Sequence, residues 1–449
     1  LIETPPHLQH LPPDAANRAA FAFAGQHPST GSGNLASGFS HLGLVALPPL
    51  MFLMAMSGGY VLSEPAPYEL MFLMVLGATL LANAPFPSAL VLPFVLICAN
   101  IVAGIIAILT GPSSAEPLRY IAVAAYLSLS AIIVAMAICT GPMRILPALR
   151  WGYTIGATVA AICGILGYFG VAGLDGPFTL SGRAKGPFSD PNVFGPFLIF
   201  PAVFLIIDIL RGGGMRVFVA LGFFSVIMLG ILLSFSRGAW AHFAISTLVA
   251  VVLLYITSDQ ALHRIRLVVT GFVALALATV ALAGLLSVPQ VGNLFSERAK
   301  IVQPYDVAGN VGRFSTQAAA INEITNRPLG FGAMGFTEKY GLDPHNVYLK
   351  VFTSNGWMGG LAYVSYVLMT LMAGLQATLS RTPWRLFALV ATATFAGLVA
   401  EGFIIDTDPW RHFHLTAGMI WGCFAAKFVA TRLTASAQQT HPMAQQQRM

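Results

Sequence analysis

The sequence predicts an all-α protein that threads a membrane about twelve times, with one large, partly helical loop on its outer face. Three observations lead there. First, 56% of the 449 residues are hydrophobic and only 9% are charged, against about 25% charged in a soluble domain. So little charge cannot cover a surface in water. Second, runs of about 18 or more apolar residues recur, each long enough to cross roughly 30 Å of hydrocarbon as a helix. Third, polar sequence is confined to two tails and one long internal segment. The net charge is +6. In such a chain much of that excess belongs to the Lys and Arg that set topology, so it is no argument for nucleic-acid binding.

The elements follow in order. Residues 1–40 are rich in Pro, Gly, Ser and Ala and lack the charged start and apolar core of a signal peptide, so they read as a disordered cytoplasmic tail. Nine spans fill 41–286, at 41–62, 67–83, 88–110, 119–139, 150–170, 193–210, 215–233, 238–257 and 265–286. Residues 287–345 are too many for a plain connection and read as a loop domain. Three more spans fill 346–430, at 346–375, 385–404 and 413–430, and 431–449 is a second disordered tail. The tenth span carries "SNGWMGG", which predicts a kink or a half-helix. The four cysteines, Cys98, Cys139, Cys163 and Cys423, lie inside apolar runs without metal spacing and read as small buried residues.

One set of short loops carries Arg144 and Arg150, Arg211 and Arg216, Arg264 and Arg266, and Arg381 and Arg385, with Lys427 and Arg432 after the last span. These alternate with the other loops, which puts both termini in the cytoplasm and 287–345 outside. Against that bias stand Arg237 in "LLSFSRGAW", Arg183 and Lys185 in "LSGRAKGPFSDPN", and Arg313 in "NVGRFSTQ". One reading is snorkelling to lipid headgroups. The other, favoured by separate loops of one face each pairing Arg with Gly and Ser, is an anion such as phosphate held in a cavity open to that side.

Within the outer loop, 312–326 places Phe314, Ala318, Ile321 and Ile324 at helical spacing, an amphipathic helix for the interface with Arg313 in its first turn. "RPLGFGAMGF" then demands a closely bending backbone. His345 follows a proline in "DPHNVYLKVF", where the tenth span begins. Asp190 and Asn192 in "SDPN" read as caps of the sixth span. Asp406 and Asp408 in "IDTDPW" are the one close outer acidic pair, read as loop caps in preference to a metal site. Arg411, His412 and His414 either line a substrate or start a helix. Glu401 is the carboxylate inside a span, a functional candidate by default and a possible partner for one of the arginines.

Taken in order, "GRAKGPFSDPN", "SFSRGAW", the long loop with "GRF", and "GFGAMGF…DPHNVYLKVFTSNGWMGG" resemble the bacterial O-antigen ligase and polymerase superfamily. The motifs span roughly 180–375. The resemblance implies an inner-membrane enzyme, its active site facing the periplasm, that uses undecaprenyl-diphosphate-linked glycans. It implies no cofactor and no metal. Carried over, binding of the donor diphosphate falls on Arg183, Arg237 and Arg313, with Lys185 beside them. His345 takes the role of a base near the acceptor. From the residues themselves, Tyr348 either touches lipid or sugar or belongs to the aromatic belt, and Arg411 is a further substrate-binding candidate. The chemistry suits those types. Attack by an acceptor hydroxyl at a sugar C1 displaces a diphosphate; arginine neutralises the charge growing there, and histidine takes a proton near neutral pH. The acceptor is either lipid A core, for a ligase, or a second lipid-linked glycan, for a polymerase. A lipid-linked-glycan flippase is the alternative, weakened by the scarcity of acids and bases inside the spans.

Overall fold

In the computed structural model, the described residues are 35–62, 65–109, 116–261 and 312–440, with 264–265, 269, 271, 283–284 and 286–298 between the last two. Helices dominate: α1 (Leu35–Ser57), α2 (Pro67–Leu81), α3 (Val91–Ile108), α4 (Glu116–Thr140), α5 (Pro142–Tyr168), α6 (Pro191–Phe197), α7 (Ile199–Arg211), α8 (Met215–Leu233), α9 (Arg237–Thr257), α10 (Pro289–Arg298), α11 (Arg313–Asn326), α12 (Gly335–Tyr340), α13 (Val347–Leu379), α14 (Arg385–Glu401) and α15 (Arg411–Thr440). A two-residue hairpin, β1 (Thr179–Leu180) with β2 (Arg183–Ala184), sits between α5 and α6.

Among the described residues, nine helical runs are long and apolar enough to cross a membrane, with Pro191–Arg211 counted as one. Two expected spans are shorter helices: α2 has 15 residues and α14 has 17. At 1.5 Å per residue these reach about 22 and 26 Å, short of the roughly 30 Å hydrocarbon layer. Most of the expected ninth span, 265–286, lies outside the described residues, as do 299–311 of the long loop, 1–34 of the expected tail 1–40 and 441–449 of the expected tail 431–449; residues 35–40 of the first begin α1 and 431–440 of the second end α15.

Neighbours in the bundle are often distant in sequence: α4 packs on α15, α3 on α13, and α9 on α14. The α6–α7 run is deeply enclosed, with Phe194, Phe197, Phe200 and Phe204 all buried and Tyr153 packed between Phe197 and Phe200. Leu70, Leu73, Leu80, Val95 and Phe218 point outward, as suits helices solvated by lipid tails, where packing and interhelical hydrogen bonds drive association. Such bonds are present: the Trp421 indole donates to Thr370 (2.9 Å), Trp384 to the Cys423 carbonyl (3.0 Å) and Asn355 to Asn100 (2.8 Å).

The bundle has two chemically distinct ends. At one, Arg150 pairs with Asp208, Arg381 with Asp259, and Arg385 donates to the Thr257 carbonyl. At the other, Val61 N–H donates to Pro187 O (2.7 Å), Val347 N–H to Gly402 O (2.9 Å), and Arg411 pairs with Glu69 (2.6 Å).

The expected loop helix forms as α11. Thr316 and Ala320 are its buried residues, while Phe314 and Ile321 face outward, the arrangement of a helix lying in an interface. The Ile324 carbonyl accepts from the Trp357 indole (2.9 Å), and Ala320 shares a small apolar cluster with Phe331, Phe336 and Leu349. These two contacts run α11 antiparallel to the start of α13. Glu323 ties α11 to α12 by accepting from Lys339 and Tyr340, and those hydrogen bonds hold its carboxyl below the usual range. The predicted kink in α13 falls at Gly356, with φ 65° and ψ −167°.

Candidate active site

The hinge that carries Arg237 is built from α8, three residues and a cap. Helix α8 ends at Leu233; Phe235 takes φ 46°, a left-handed conformation for a bulky residue; and the Ser236 side chain accepts from Ala239 N–H to open α9. Arg237 is therefore the first residue of a helix, where the helix dipole already favours an anion. Left-handed backbone at a non-glycine residue costs about 1–3 kcal/mol, and such strain concentrates at functional sites.

Arg183 arrives at the same hinge from β2. Its Nε donates to the Ser234 carbonyl (2.8 Å), and a terminal nitrogen donates to Asn192 Oδ1 (2.8 Å). Of the two expected caps of the sixth span, only Asp190 caps, accepting from Asn192 N–H (2.6 Å). Asn192 holds Arg183 instead. Lys185 is half-buried two residues on, its N–H bonded to the Phe178 carbonyl (2.9 Å).

The second strained position is His345 itself, with φ 48°. Asn346 follows as the cap of α13, accepting from Tyr348 and Leu349 N–H. Val347 N–H donates to Gly402 O, and the Tyr348 hydroxyl to Val399 O (2.7 Å). The start of α13 is thus pinned to the end of α14. That end also meets α9: a Cβ on Gly238, the residue after Arg237, would stand 2.7 Å from Glu401 Oε1. Arg183, Arg237 and His345 are gathered on three adjoining elements of one end of the bundle. Arg313 begins α11, whose antiparallel course along α13 brings that end toward His345.

Two of the expected substrate-binding residues also make contacts that join helices. Tyr348 uses its hydroxyl on the backbone and packs its ring on Phe403 (4.5 Å), so it holds α13 on α14. Arg411 is half-buried and its Nε is committed to Glu69, which joins α15 to α2. His412 and His414 are buried with it at the start of α15.

Glu401 pairs with His242 and not with an arginine: Nδ1 and Oε2 are 2.8 Å apart, at 0% and 1% side-chain exposure. His242 was not readable as functional, since a lone His in an apolar run reads as core; its partner is 159 residues away. The other ring nitrogen, Nε2, faces the Thr394 carbonyl at 3.1 Å. A carbonyl only accepts, so Nε2 carries a hydrogen. The short Nδ1–Oε2 contact then holds one further proton, which makes the pair neutral as a unit.

Asp406 and Asp408 stand on either side of the Lys350 ammonium, 3.6 Å from each, so a built-in cation occupies the space between the two carboxylates. Burial pushes the Asp406 carboxyl up to about 6, with Lys350 pulling the other way. Among the described residues no cluster of three or more His, Cys, Asp or Glu is arranged to hold a metal.

Residues 197–364 match the family model described as O-antigen ligase. The matched stretch runs from the end of α6 through the kink in α13. It includes Arg237, Arg313, His345 and Tyr348, and leaves Arg183, Lys185 and Arg411 outside. No curated protein matches the chain.

Proposed function

From the match of residues 197–364 to the O-antigen ligase family model, we propose that the chain is a member of the O-antigen ligase and polymerase superfamily, a glycosyltransferase moving a glycan from undecaprenyl diphosphate onto an acceptor hydroxyl at the periplasmic face of the bacterial inner membrane. The observation that carries this reading is the hinge. Arg183 is locked onto the backbone immediately before Arg237, and the α13 start that bears His345 is pinned beside it through Gly402 and Glu401. Two guanidiniums at a helix N-terminus suit a diphosphate.

In the proposed reaction the acceptor oxygen attacks the sugar C1 as the C1–oxygen bond to the diphosphate breaks. The electron pair leaves with undecaprenyl diphosphate, and Arg237, Arg183 and Arg313 neutralise it. The hydroxyl proton passes to His345. A single displacement inverts the anomeric centre. The already activated donor and the arginine clamp need no metal. The reading includes the full twelve-span layout, with 287–345 lying over the periplasmic face. It leaves the acceptor as lipid A core or a second lipid-linked glycan, since the same chemistry serves both.

The test is transfer by purified protein in lipid vesicles, without an ion gradient. Lipid-linked glycan is the donor, and each acceptor is supplied separately. The expected result is a new, anomerically inverted glycosidic bond to one acceptor, with one undecaprenyl diphosphate released per bond. Movement of the glycan across the vesicle with no transfer to either acceptor would make the protein a carrier.

A further inference from the structure

A partly open cavity with about 40 Å³ of enclosed room lies between α3, α4 and the first turns of α13, lined among others by Asn100, Tyr120, Lys350, Asn355, Asp408 and His414. It occupies the flank of α13 away from the arginines: Tyr348 faces α14, whereas Lys350 faces Tyr120 on α4, its ammonium 5.2 Å from the ring centre. Two buried acceptor atoms in the wall have no donor. Asp408 Oδ2 accepts from the Tyr120 hydroxyl (2.7 Å), but its buried Oδ1 accepts no hydrogen bond. His414 is 3% exposed; its Nε2 donates to the Asp408 carbonyl (2.8 Å), which leaves Nδ1 as a buried acceptor with no partner. Lys350 stands 3.6 Å from its two carboxylates, beyond hydrogen-bonding distance. Buried polar atoms in a native fold are normally satisfied, so two open acceptors beside an ammonium call for a ligand or ordered water.

The charge selects the ligand class. Lys350 with Asp406 and Asp408 carries a net negative charge, which repels a diphosphate. The lysine already fills the position of a cation. What remains is a neutral group that both donates and accepts. We propose that this cavity is a saccharide subsite, in which the hydroxyl-bearing edge of the acceptor glycan donates to Asp408 Oδ1 and His414 Nδ1 and accepts from Lys350. The enclosed room takes an exocyclic hydroxymethyl group, with the sugar ring at the mouth. The subsite rests on the glycosyltransferase reading and deepens it: the acceptor enters from one flank of the α13 start and the donor diphosphate from the other, with His345 between.

The experiment uses the full-length protein in vesicles and measures KM for acceptor and for lipid-linked donor separately, together with donor binding. The acceptor is whichever of lipid A core and lipid-linked glycan the wild type uses. Three variants are compared. Asp408→Asn removes the acceptor charge, Ala124→Leu fills the cavity from α4, and Tyr120→Phe keeps the volume while losing one hydroxyl; thermal melts identify those that fold. The expected result for folded Asp408→Asn or Ala124→Leu is an acceptor KM raised at least about tenfold, the scale of one lost hydrogen bond to a charged group, with donor KM and donor binding unchanged. Tyr120→Phe, the mildest change, should show a smaller shift in the same direction. An unchanged acceptor KM in the folded variants, or donor and acceptor KM rising together, overturns the subsite alone. A wild type that transfers nothing overturns the glycosyltransferase reading and the subsite with it.

Discussion

Arg237 presents a planar fork of donors from the first position of a helix, and Lys at that position would keep the charge but lose the fork. Removing one preorganised donor from a developing anion costs on the order of 3 kcal/mol, about a hundredfold in rate. Arg237→Ala should therefore lower transfer by at least about a hundredfold and Arg237→Lys should recover it only in part, both read in the vesicle assay with folding checked by thermal melt. Wild-type transfer by a folded Ala variant would reduce Arg237 to a lipid anchor. His345 separates differently. As a base it gives a rate that falls as pH drops through the imidazole range, with His345→Gln as inactive as His345→Ala while both still bind donor. Substantial activity in the Gln variant would make it a group that only orients the acceptor. The residue types were legible because they break rules: arginines in loops where the positive-inside bias does not expect them, a histidine behind a proline. The Phe235 backbone was not legible, since a bulky aromatic rarely takes a left-handed conformation; histidine is enriched there, but no local pattern marked His345 as such a position. Nor was the His242–Glu401 pair, which exists only through a contact between α9 and α14.

At the scale of elements, α13 is two helices in one. Its first part belongs to the loop: Phe331 N–H donates to Thr353 O (2.7 Å), Gly332 N–H to Ser354 O (3.0 Å), and Trp357 N–H to Pro328 O (2.9 Å). Gly356 turns the chain between the two parts with a backbone that only glycine adopts readily, and a Cβ there would lie 2.3 Å from Pro328 O. Gly356→Ala should cost at least about 1–3 kcal/mol and loosen the covering helices first. The expected signs are a lower Tm and faster hydrogen exchange across 312–341 than across α15; a variant with unaltered exchange would show that the kink can straighten freely. "SNGWMGG" announced the break. The direction of α11 was less open to reading. Its apolar residues mark a face, but sequence spacing does not say that the small residues Thr316 and Ala320 face the bundle while Phe314 and Ile321 look out.

Over the whole molecule, charge divides the two ends by chemistry. Arginines at one end pair with lone carboxylates or helix carbonyls, whereas at the other Arg183 and Arg237 meet at a strained hinge and Arg411 pairs with Glu69. Single cysteines replacing Glu338 and Arg381, in a chain with its four native cysteines removed, test which end faces out. An impermeant maleimide applied to cells with a permeable outer envelope should label the cysteine at 338 and spare the one at 381; the reverse pattern would invert the topology. Hydropathy alone marked the long apolar helices, because each must satisfy its own backbone groups in lipid; it did not mark α10 or α12. It is silent on which helices touch, and α4 with α15 or α3 with α13 had no local signature. The fastening of the loop to α13 carries one more consequence. Those three bonds join main chain to main chain, so amino-acid identities between Pro328 and Gly356 are free to drift wherever no side chain has a task. Chain length is fixed inside 328–332 and 353–357: one residue inserted or deleted within either segment puts the bond between 328 and 357 out of step with those of 331 and 332. Related sequences should therefore vary in composition across that stretch and take up their differences in length outside those two segments.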